Sequence, residues 1–511
     1  MALLPELIAR LAARQPETPA LVTGKETLTY RELLNAAGNL AAILKARGLT
    51  RLGLAGDNAI GWVVADLACL MARIVCVPVP GFFSAQQSAH LTAMAGLEGL
   101  LEVLPPSAAA QEEDASGLER LTARVALRRL PAGGPLAPLP PGTAKITFTS
   151  GSTGNPKGVC LSAAQLTATT LALGRRLEAV ALQRHLCVLP LATLLENIAG
   201  VYLPLSLGAT VVLEPLASLG FTGSSQLEIP RLLAVINRVR PHSVILVPEL
   251  ASVLVGAAET GALDTAPFQF VAVGGGKVSP RMLARARAVG LPMYEGYGLS
   301  ECGSVVALNV PGAARAGTVG RPLDHVAVAV GDDGEIRIAG STHLGYLGEP
   351  REPGAELATG DLGRFDNGFL VVNGRRKNLL ITSYGRNISP EWLESELVQA
   401  AGARQAFVFG EGEPHPCALL AVGSGSPAEI AAALAGLNAR LPDYMRLQTV
   451  YLRRQPWTRE DGYLTANGRP LRSRLNEDLP ALLASAHPLT LDVSCAAPAE
   501  PAAEITQVEE F

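Results

Sequence analysis

The sequence predicts an α/β protein with mostly parallel sheets, and three observations carry that expectation. Short apolar runs of strand length alternate with helical patterns from about Leu3 to Val371. Thr29-Tyr30-Arg31-Glu32 forms a capping box in front of the apolar run Leu33 to Leu44, which marks a helix start. Hydrophobic residues make up 48% of the 511 positions, which is ample for large cores and excludes a disordered chain.

The elements follow in chain order. Met1 to Gln15 reads as an amphipathic helix; it carries Glu6 and lacks a basic start, so no signal peptide is expected. Arg51 to Leu54 and Ile74 to Val79 read as strands around a helix from Ile60 to Met71. Leu186 to Leu189, Thr210 to Leu213, Ser243 to Val247 and Phe268 to Val273 read as strands, with helices at Ile229 to Arg238 and Pro280 to Val289. Val326 to Ala339 reads as a hairpin turning at Asp332-Asp333-Gly334. The Pro- and Gly-rich stretch Leu130 to Gly142 reads as a surface loop. A domain boundary is expected near Asn373 to Asn378, and a helix capped at Ser389 with Pro390 in its first turn follows it. From 486 to 511 the Ala-, Pro- and Glu-rich composition is expected to form a disordered tail.

Charge and cysteine content narrow the function classes. Lys plus Arg is 42 and Asp plus Glu is 46, a net charge of −4, which argues against a nucleic-acid binder. The seven cysteines form no C-x-x-C pair, so neither a zinc site nor a disulfide framework is expected, and reduced thiols point to the cytoplasm. The two most apolar windows are interrupted by Asp66 and Arg73, and by Glu196, Asn197 and Pro204. No transmembrane segment is therefore expected.

The strongest chemical signal is the string from Ile146 to Val159. Thr149, Ser150, Gly151, Ser152, Thr153, Gly154 and Lys157 gather hydroxyls, flexible backbone and one ammonium on a single loop after an apolar strand. Such a loop suits an anion with many oxygens, namely a nucleotide polyphosphate. It is not a Walker A loop, because Gly158 rather than Ser or Thr follows Lys157.

The string resembles the signature of the AMP-binding, acyl-adenylate-forming superfamily, and in look the chain is closest to fatty acyl-CoA synthetases. The resemblance spans about Leu3 to Leu475, with further motifs in the family's order. Tyr294-Glu295-Gly296-Tyr297-Gly298-Leu299-Ser300-Glu301 is similar to the Y-G-x-T-E box. There the resemblance implies an adenine contact at Tyr297 among Gly296 and Gly298, an α-phosphate contact at Ser300, and a magnesium-associated carboxylate at Glu301. Thr359-Gly360-Asp361 matches T-G-D, implying that Asp361 accepts from the ribose hydroxyls. Gly274-Gly275-Gly276 resembles a glycine box whose backbone, at Gly275 and Gly276, borders adenine and the acyl channel; glycine at 276 would leave that channel open. Arg375 matches a ribose and phosphate contact, Lys377 the hinge, and Gly385 the loop lining the thiol tunnel.

Two departures stand out. In Leu189-Pro190-Leu191-Ala192-Thr193-Leu194-Leu195-Glu196-Asn197 the family's usual His is Thr193 and its usual Arg is Asn197. Thr193, which takes the His place beside the acyl carboxylate, can donate one hydrogen bond but cannot become cationic. In Leu464-Thr465-Ala466-Asn467-Gly468-Arg469 the usual catalytic Lys is Arg469, which keeps the charge but spreads it over a wider group.

The resemblance implies a fold of two α/β subdomains and a small β-barrel-like subdomain over 1–375. A small mobile α+β domain over 376–485 and the tail follow. It implies ATP, Mg²⁺ and CoA as cofactors and a small-molecule carboxylic acid as substrate. The expected reaction is activation of a fatty acid to an acyl-adenylate with release of pyrophosphate, then transfer to a thiol. Three alternatives stay open: an aryl or specialised acid, an acyl carrier protein's phosphopantetheine as acceptor, and a nucleotide-binding homologue whose adenylation is impaired.

Overall fold

The computed structural model describes residues 3–104, 118–131, 138–149, 157–222, 226–352, 354–383, 386–465, 470–491 and 493. The chain divides into two compact units, the first over Met1–Asn373 and the second beginning at Gly374.

Two large sheets organise the first unit. In one, the parallel strands Pro19–Val22, Thr210–Leu213, Arg184–Cys187, Ser243–Leu246, Phe270–Val273 and Met293–Tyr297 lie side by side, and antiparallel strands complete both edges. In the other, Thr143–Thr149, Val75–Val79, Arg51–Ala55 and Gly99–Val103 are parallel neighbours. Lys157–Ser162 turns back antiparallel on Thr143–Thr149, and Gly345–Tyr346 adds antiparallel beyond it. Parallel strands need crossover helices, and these supply the cores.

One continuous apolar cluster joins both sheets. It contains Leu21, Val211 and Leu213 from the first sheet and Leu52, Leu54 and Cys76 from the second. Leu33, Leu40, Trp62, Val63, Leu67, Leu166 and Leu173, from the helices Tyr30–Ala46, Ile60–Ala72 and Ala163–Arg176, belong to the same cluster. The capping box expected at Thr29 is present: the Glu32 carboxylate accepts from the Thr29 backbone N–H at 2.8 Å, and Thr29 Oγ1 accepts from Glu32 N–H at 3.3 Å. The opposite face of the first sheet is covered by the helices Ile229–Val239, Pro248–Glu259 and Pro280–Ala288. The expected hairpin forms from Val326–Val330 and Glu335–Gly340. It belongs to a four-stranded sheet with Leu357–Asp366 and Phe369–Arg375, in the place of the expected β-barrel-like part.

The second unit is a four-stranded sheet of Ala403–Phe409, Cys417–Val422, Thr449–Arg453 and His487–Thr490. The helices Pro390–Ala401 and Pro427–Asn438 cover one face, and Trp457, Leu475 and Leu482 cover the other.

Three expectations are corrected. The strand expected at Leu186 to Leu189 runs Arg184–Cys187, because Arg184 and His185 pair with Thr210 and Val211. The helix at Pro390 starts where expected, but the Ser389 hydroxyl is buried without a partner and makes no cap bond. The segment assigned to a tail from 486 includes the strand His487–Thr490, which pairs with Thr449–Arg453, so ordered structure reaches that far. No helix among the described residues is long and apolar enough to cross a membrane.

Candidate functional site

The expected phosphate loop sits between two antiparallel strands of the second large sheet. Thr149 and Lys157 are register partners at its base, and Thr149 Oγ1 donates to the Lys157 carbonyl at 3.5 Å. Ser150, Gly151, Ser152, Thr153 and Gly154 lie outside the described residues. Lys157 is exposed, and its Nζ stands 5.0 Å from the centre of the Tyr346 ring. The Tyr346 hydroxyl donates to Glu301 Oε1 at 2.9 Å. Glu301 follows Ser300 in a short 3₁₀ turn, Ser300–Cys302. That turn is anchored through its backbone: the Glu301 carbonyl accepts from Gln165 Nε2 at 3.0 Å and from the His343 N–H at 2.6 Å. Lys157 and Glu301, distant in sequence, therefore both reach one tyrosine, the first over its ring and the second at its hydroxyl.

Glu301 fits a hard divalent cation. One of its oxygens, Oε1, accepts from the Tyr346 hydroxyl. A carboxylate is a hard oxygen donor of the kind magnesium takes beside phosphates.

A second pair lies on the four-stranded sheet and the strand end beside it. The Tyr297 hydroxyl donates to Asp361 Oδ2 at 2.6 Å. Asp361 is buried, and its backbone N–H donates to Thr359 Oγ1 at 3.0 Å. Glu335 Oε1 accepts from the Gly360 N–H at 2.9 Å, which fixes the tight T-G-D turn. Burial, then the Asp361 charge, pushes the Tyr297 hydroxyl well above its usual value, so it stays a donor. Gly298 is obligatory here: a Cβ would lie 1.7 Å from the Ser304 carbonyl oxygen. At Gly296 a Cβ would lie 3.0 Å from Leu308 Cδ1.

The glycine box runs from the end of Phe270–Val273 towards the helix Pro280–Ala288. Gly275 has φ of +83°, and a Cβ at Gly276 would lie 3.1 Å from Pro248 Cγ. Beside the box sits Glu295, a residue of the Y-E-G-Y-G string that carried no role in the sequence reading. Glu295 Oε1 accepts from the Val278 N–H at 3.4 Å, while Oε2 is buried without a partner. Burial raises its carboxyl to about 7.

Thr193 stands in the short turn before Glu196. Its hydroxyl donates to the Pro190 carbonyl at 2.6 Å, closing its own turn, so its single donor is already engaged. Asn197 has a different setting from the one its sequence suggests. Lys145 Nζ, fully buried, donates to Asp66 Oδ1 at 2.7 Å, Asn197 Oδ1 at 2.5 Å and the Tyr202 hydroxyl at 2.9 Å. Asp66 Oδ2 accepts from Asn197 Nδ2 and from Tyr202. The cation of this cluster thus comes from the strand that leads into the phosphate loop. Asn197 and Tyr202 belong to a π-helix, Glu196–Tyr202, an element found often at functional sites.

His185, Cys187 and Glu196 place donor atoms within 4.8 Å of one another, all buried. His185 Nε2 lies 3.2 Å from Glu196 Oε1, and its Nδ1 lies 2.9 Å from Ser243 Oγ. Burial raises both the Glu196 carboxyl and the Cys187 thiol, which favours their protonated forms.

Arg375 ends the strand Phe369–Arg375 and is exposed, as is Lys377 in the 3₁₀ turn that follows. Asn378 donates to Glu391 Oε1 at 2.5 Å within the second unit. Gly385 and Arg469 lie outside the described residues. Arg472, three residues beyond Arg469, is structural. It donates to Glu394 Oε1 and to the Val408 carbonyl, each at 2.6 Å, and stacks on Phe407.

A long-chain-fatty-acid–CoA ligase, FadD15 of Mycobacterium bovis, is 26% identical over 74% of this chain and 75% of its own length. The phosphinothricin tripeptide synthetase PhsC of Streptomyces viridochromogenes is 30% identical over 85% of this chain and 42% of its own length. Among solved structures, the anthranilate CoA ligase AuaEII in complex with anthranoyl-AMP superposes with a TM-score of 0.77. At 18% identity over 94% of this chain and 98% of that one, it shows a shared fold. The family described as AMP-binding enzyme matches residues 8–348, and the chain belongs to that family.

Proposed function

We propose that this protein is an AMP-forming acid–thiol ligase that activates a carboxylic acid, with a fatty acid as the substrate class and CoA as the acceptor, in the cytoplasm. The observation that carries the reading is the convergence in one unit of the Thr149–Lys157 loop base, Glu301 and the Tyr297–Asp361 pair. Asp361 would receive the ribose hydroxyls and Tyr297 the base. Lys157 and the loop N–H groups would take the phosphates. A magnesium ion held at Glu301 would neutralise phosphate charge.

In the first step a carboxylate oxygen attacks the α-phosphorus in line, and pyrophosphate leaves with its bonding pair. The protein's part is positioning and charge stabilisation. Arg469 supplies a second cation to the reacting carboxylate and phosphate. In the second step a thiolate attacks the acyl carbonyl, and AMP leaves. By resemblance, the second domain turns at Lys377 between the steps, so that the Gly385 loop replaces Arg469, and Arg375 contacts the nucleotide.

A second reading, an aryl acid, is favoured by the mixed relatives. An indoleacetate–CoA ligase of Aromatoleum aromaticum is 27% identical over 80% of this chain. Transfer to a carrier protein is the corresponding alternative acceptor, given the likeness to PhsC. ATP–pyrophosphate exchange across aliphatic and aryl acids, followed by thioester analysis with CoA, tests these readings. Exchange with aliphatic acids and an acyl-CoA product are expected. Exchange with aryl acids alone would move the substrate class, and ATP binding without exchange for any acid would overturn the ligase reading.

A further inference from the structure

We propose that Tyr346 is the positioning residue of the metal–phosphate site, fixing the Glu301 carboxylate with its hydroxyl and the Lys157 ammonium with its ring face. The proposal rests on the adenylation reading above, since it assigns the cation to Glu301 and the phosphates to Lys157.

Register explains how one side chain reaches both. Tyr346 pairs with Val159 across the antiparallel contact between Gly345–Tyr346 and Lys157–Ser162. Lys157 lies two residues before Val159, so the two side chains share a face of the sheet as diagonal neighbours. Lys157 Nζ then sits 5.0 Å from the ring centre, in cation–π range. The hydroxyl at the ring's far end reaches Glu301 Oε1 at 2.9 Å.

The ring itself is held. His343 packs against it edge-to-face at 5.0 Å, and the His343 backbone N–H donates to the Glu301 carbonyl at 2.6 Å. Tyr346 and the turn it binds are thus tied together twice, once through side chains and once through backbone. With Oε1 held by this bond the carboxylate's rotation is restricted, and Oε2 is the oxygen that would take the cation. The arrangement resembles the outer-shell partners that orient metal ligands elsewhere.

The test separates hydroxyl from ring. Tyr346→Phe keeps the ring for Lys157 and removes only the donor to Glu301. Mn²⁺ binding to the complex of protein and α,β-methylene-ATP is followed by electron paramagnetic resonance. Activity is followed in parallel as a function of Mg²⁺. For Tyr346→Phe the expected results are Mn²⁺ affinity and Mg²⁺ KM each weakened about 10-fold or more, as for loss of a charge-assisted hydrogen bond, with kcat at saturating Mg²⁺ nearly kept. Tyr346→Leu should additionally raise the KM for ATP. In a Glu301→Gln background, Tyr346→Phe should have no further effect on Mn²⁺ binding, because its action passes through that carboxylate.

Unchanged Mn²⁺ affinity and Mg²⁺ KM in Tyr346→Phe, with the parent binding normally, would overturn the proposal and leave the adenylation reading standing. An equal additional loss in the Glu301→Gln background would likewise overturn it. Failure of the parent to bind Mn²⁺ with nucleotide would overturn the adenylation reading itself, and the proposal with it.

Discussion

Replacing Lys145 with methionine is the most informative perturbation of the scaffold. The ammonium is fully buried, and its three protons go to Asp66 Oδ1, Asn197 Oδ1 and the Tyr202 hydroxyl. Asp66 is 1% exposed and keeps two donors, Asn197 Nδ2 and the Tyr202 hydroxyl, when the lysine is gone. Methionine fills the volume, so the loss is electrostatic rather than a cavity. Leaving one partner of a buried ion pair uncompensated costs about 3–5 kcal/mol. The first unit spans Met1–Asn373. At about 2 cal/mol/K per residue, its unfolding entropy turns that cost into a fall of roughly 4–6 °C in Tm. The assay is thermal unfolding followed by circular dichroism and by calorimetry on the same samples. A double variant, Lys145→Met with Asp66→Leu, removes both charges and should recover at least half of the loss. A single variant within about 1 °C of the parent would refute the claim that this network holds the phosphate-loop strand to the π-helix.

Three further outcomes follow from local geometry. Gly298→Ala must displace the Ser304 carbonyl, 1.7 Å from the new Cβ, and should cost about 1–3 kcal/mol together with most nucleotide affinity, measured by calorimetric titration with ATP. Burial lowers His325 to about 4, so its contribution to stability is complete above the ordinary value near 6.5 and is lost as pH falls through about 4. His325→Gln should therefore lose less stability than the parent between pH 7 and pH 5, and an equal loss would contradict the assignment. Glu295 and Glu394, both raised to about 7, act in the opposite direction in both proteins and cancel in the difference. Cys69, Cys76, Cys160, Cys187 and Cys302 are buried, and burial raises Cys160 to about 11. These five thiols should react with a disulfide reagent only as the protein unfolds, and rapid labelling of any of them in the native protein would contradict that burial.

The fold was legible wherever local rules and tertiary packing agree. The Thr29 capping box, the alternation of strands and helices, and the Asp332-Asp333-Gly334 turn all depend on neighbours in sequence. The phosphate loop, Glu301 and Asp361 could be singled out because each lies in a short contiguous string that resembles a family motif. What was hidden depends on partners far along the chain. Lys145 lies in the alternating stretch Thr143–Thr149 and reads as a solvent-facing position, yet Asp66, Asn197 and Tyr202 bury it. Asn197 consequently read as a lost cation, although the Lys145 ammonium occupies its surroundings. Thr193 read as a donor for substrate because its bond to Pro190 is a turn-scale choice that residue type does not declare. A π-helix differs from an α-helix by a single residue of spacing, so the apolar pattern over Glu196–Tyr202 could not distinguish them. Tyr346 was missed because a Gly-Tyr pair on a two-residue strand carries no signal until its register against Val159 is known.

The central claim is that a carboxylate oxygen bonds to the α-phosphorus of ATP at the site built on Lys157, Glu301 and Asp361. Its most direct test is isotope transfer with an accepted acid labelled with ¹⁸O in both carboxyl oxygens, incubated with ATP, Mg²⁺ and CoA. Adenylation followed by thiolysis predicts AMP carrying one ¹⁸O and unlabelled pyrophosphate. Formation of ADP with label in inorganic phosphate, or AMP free of label, would contradict the account.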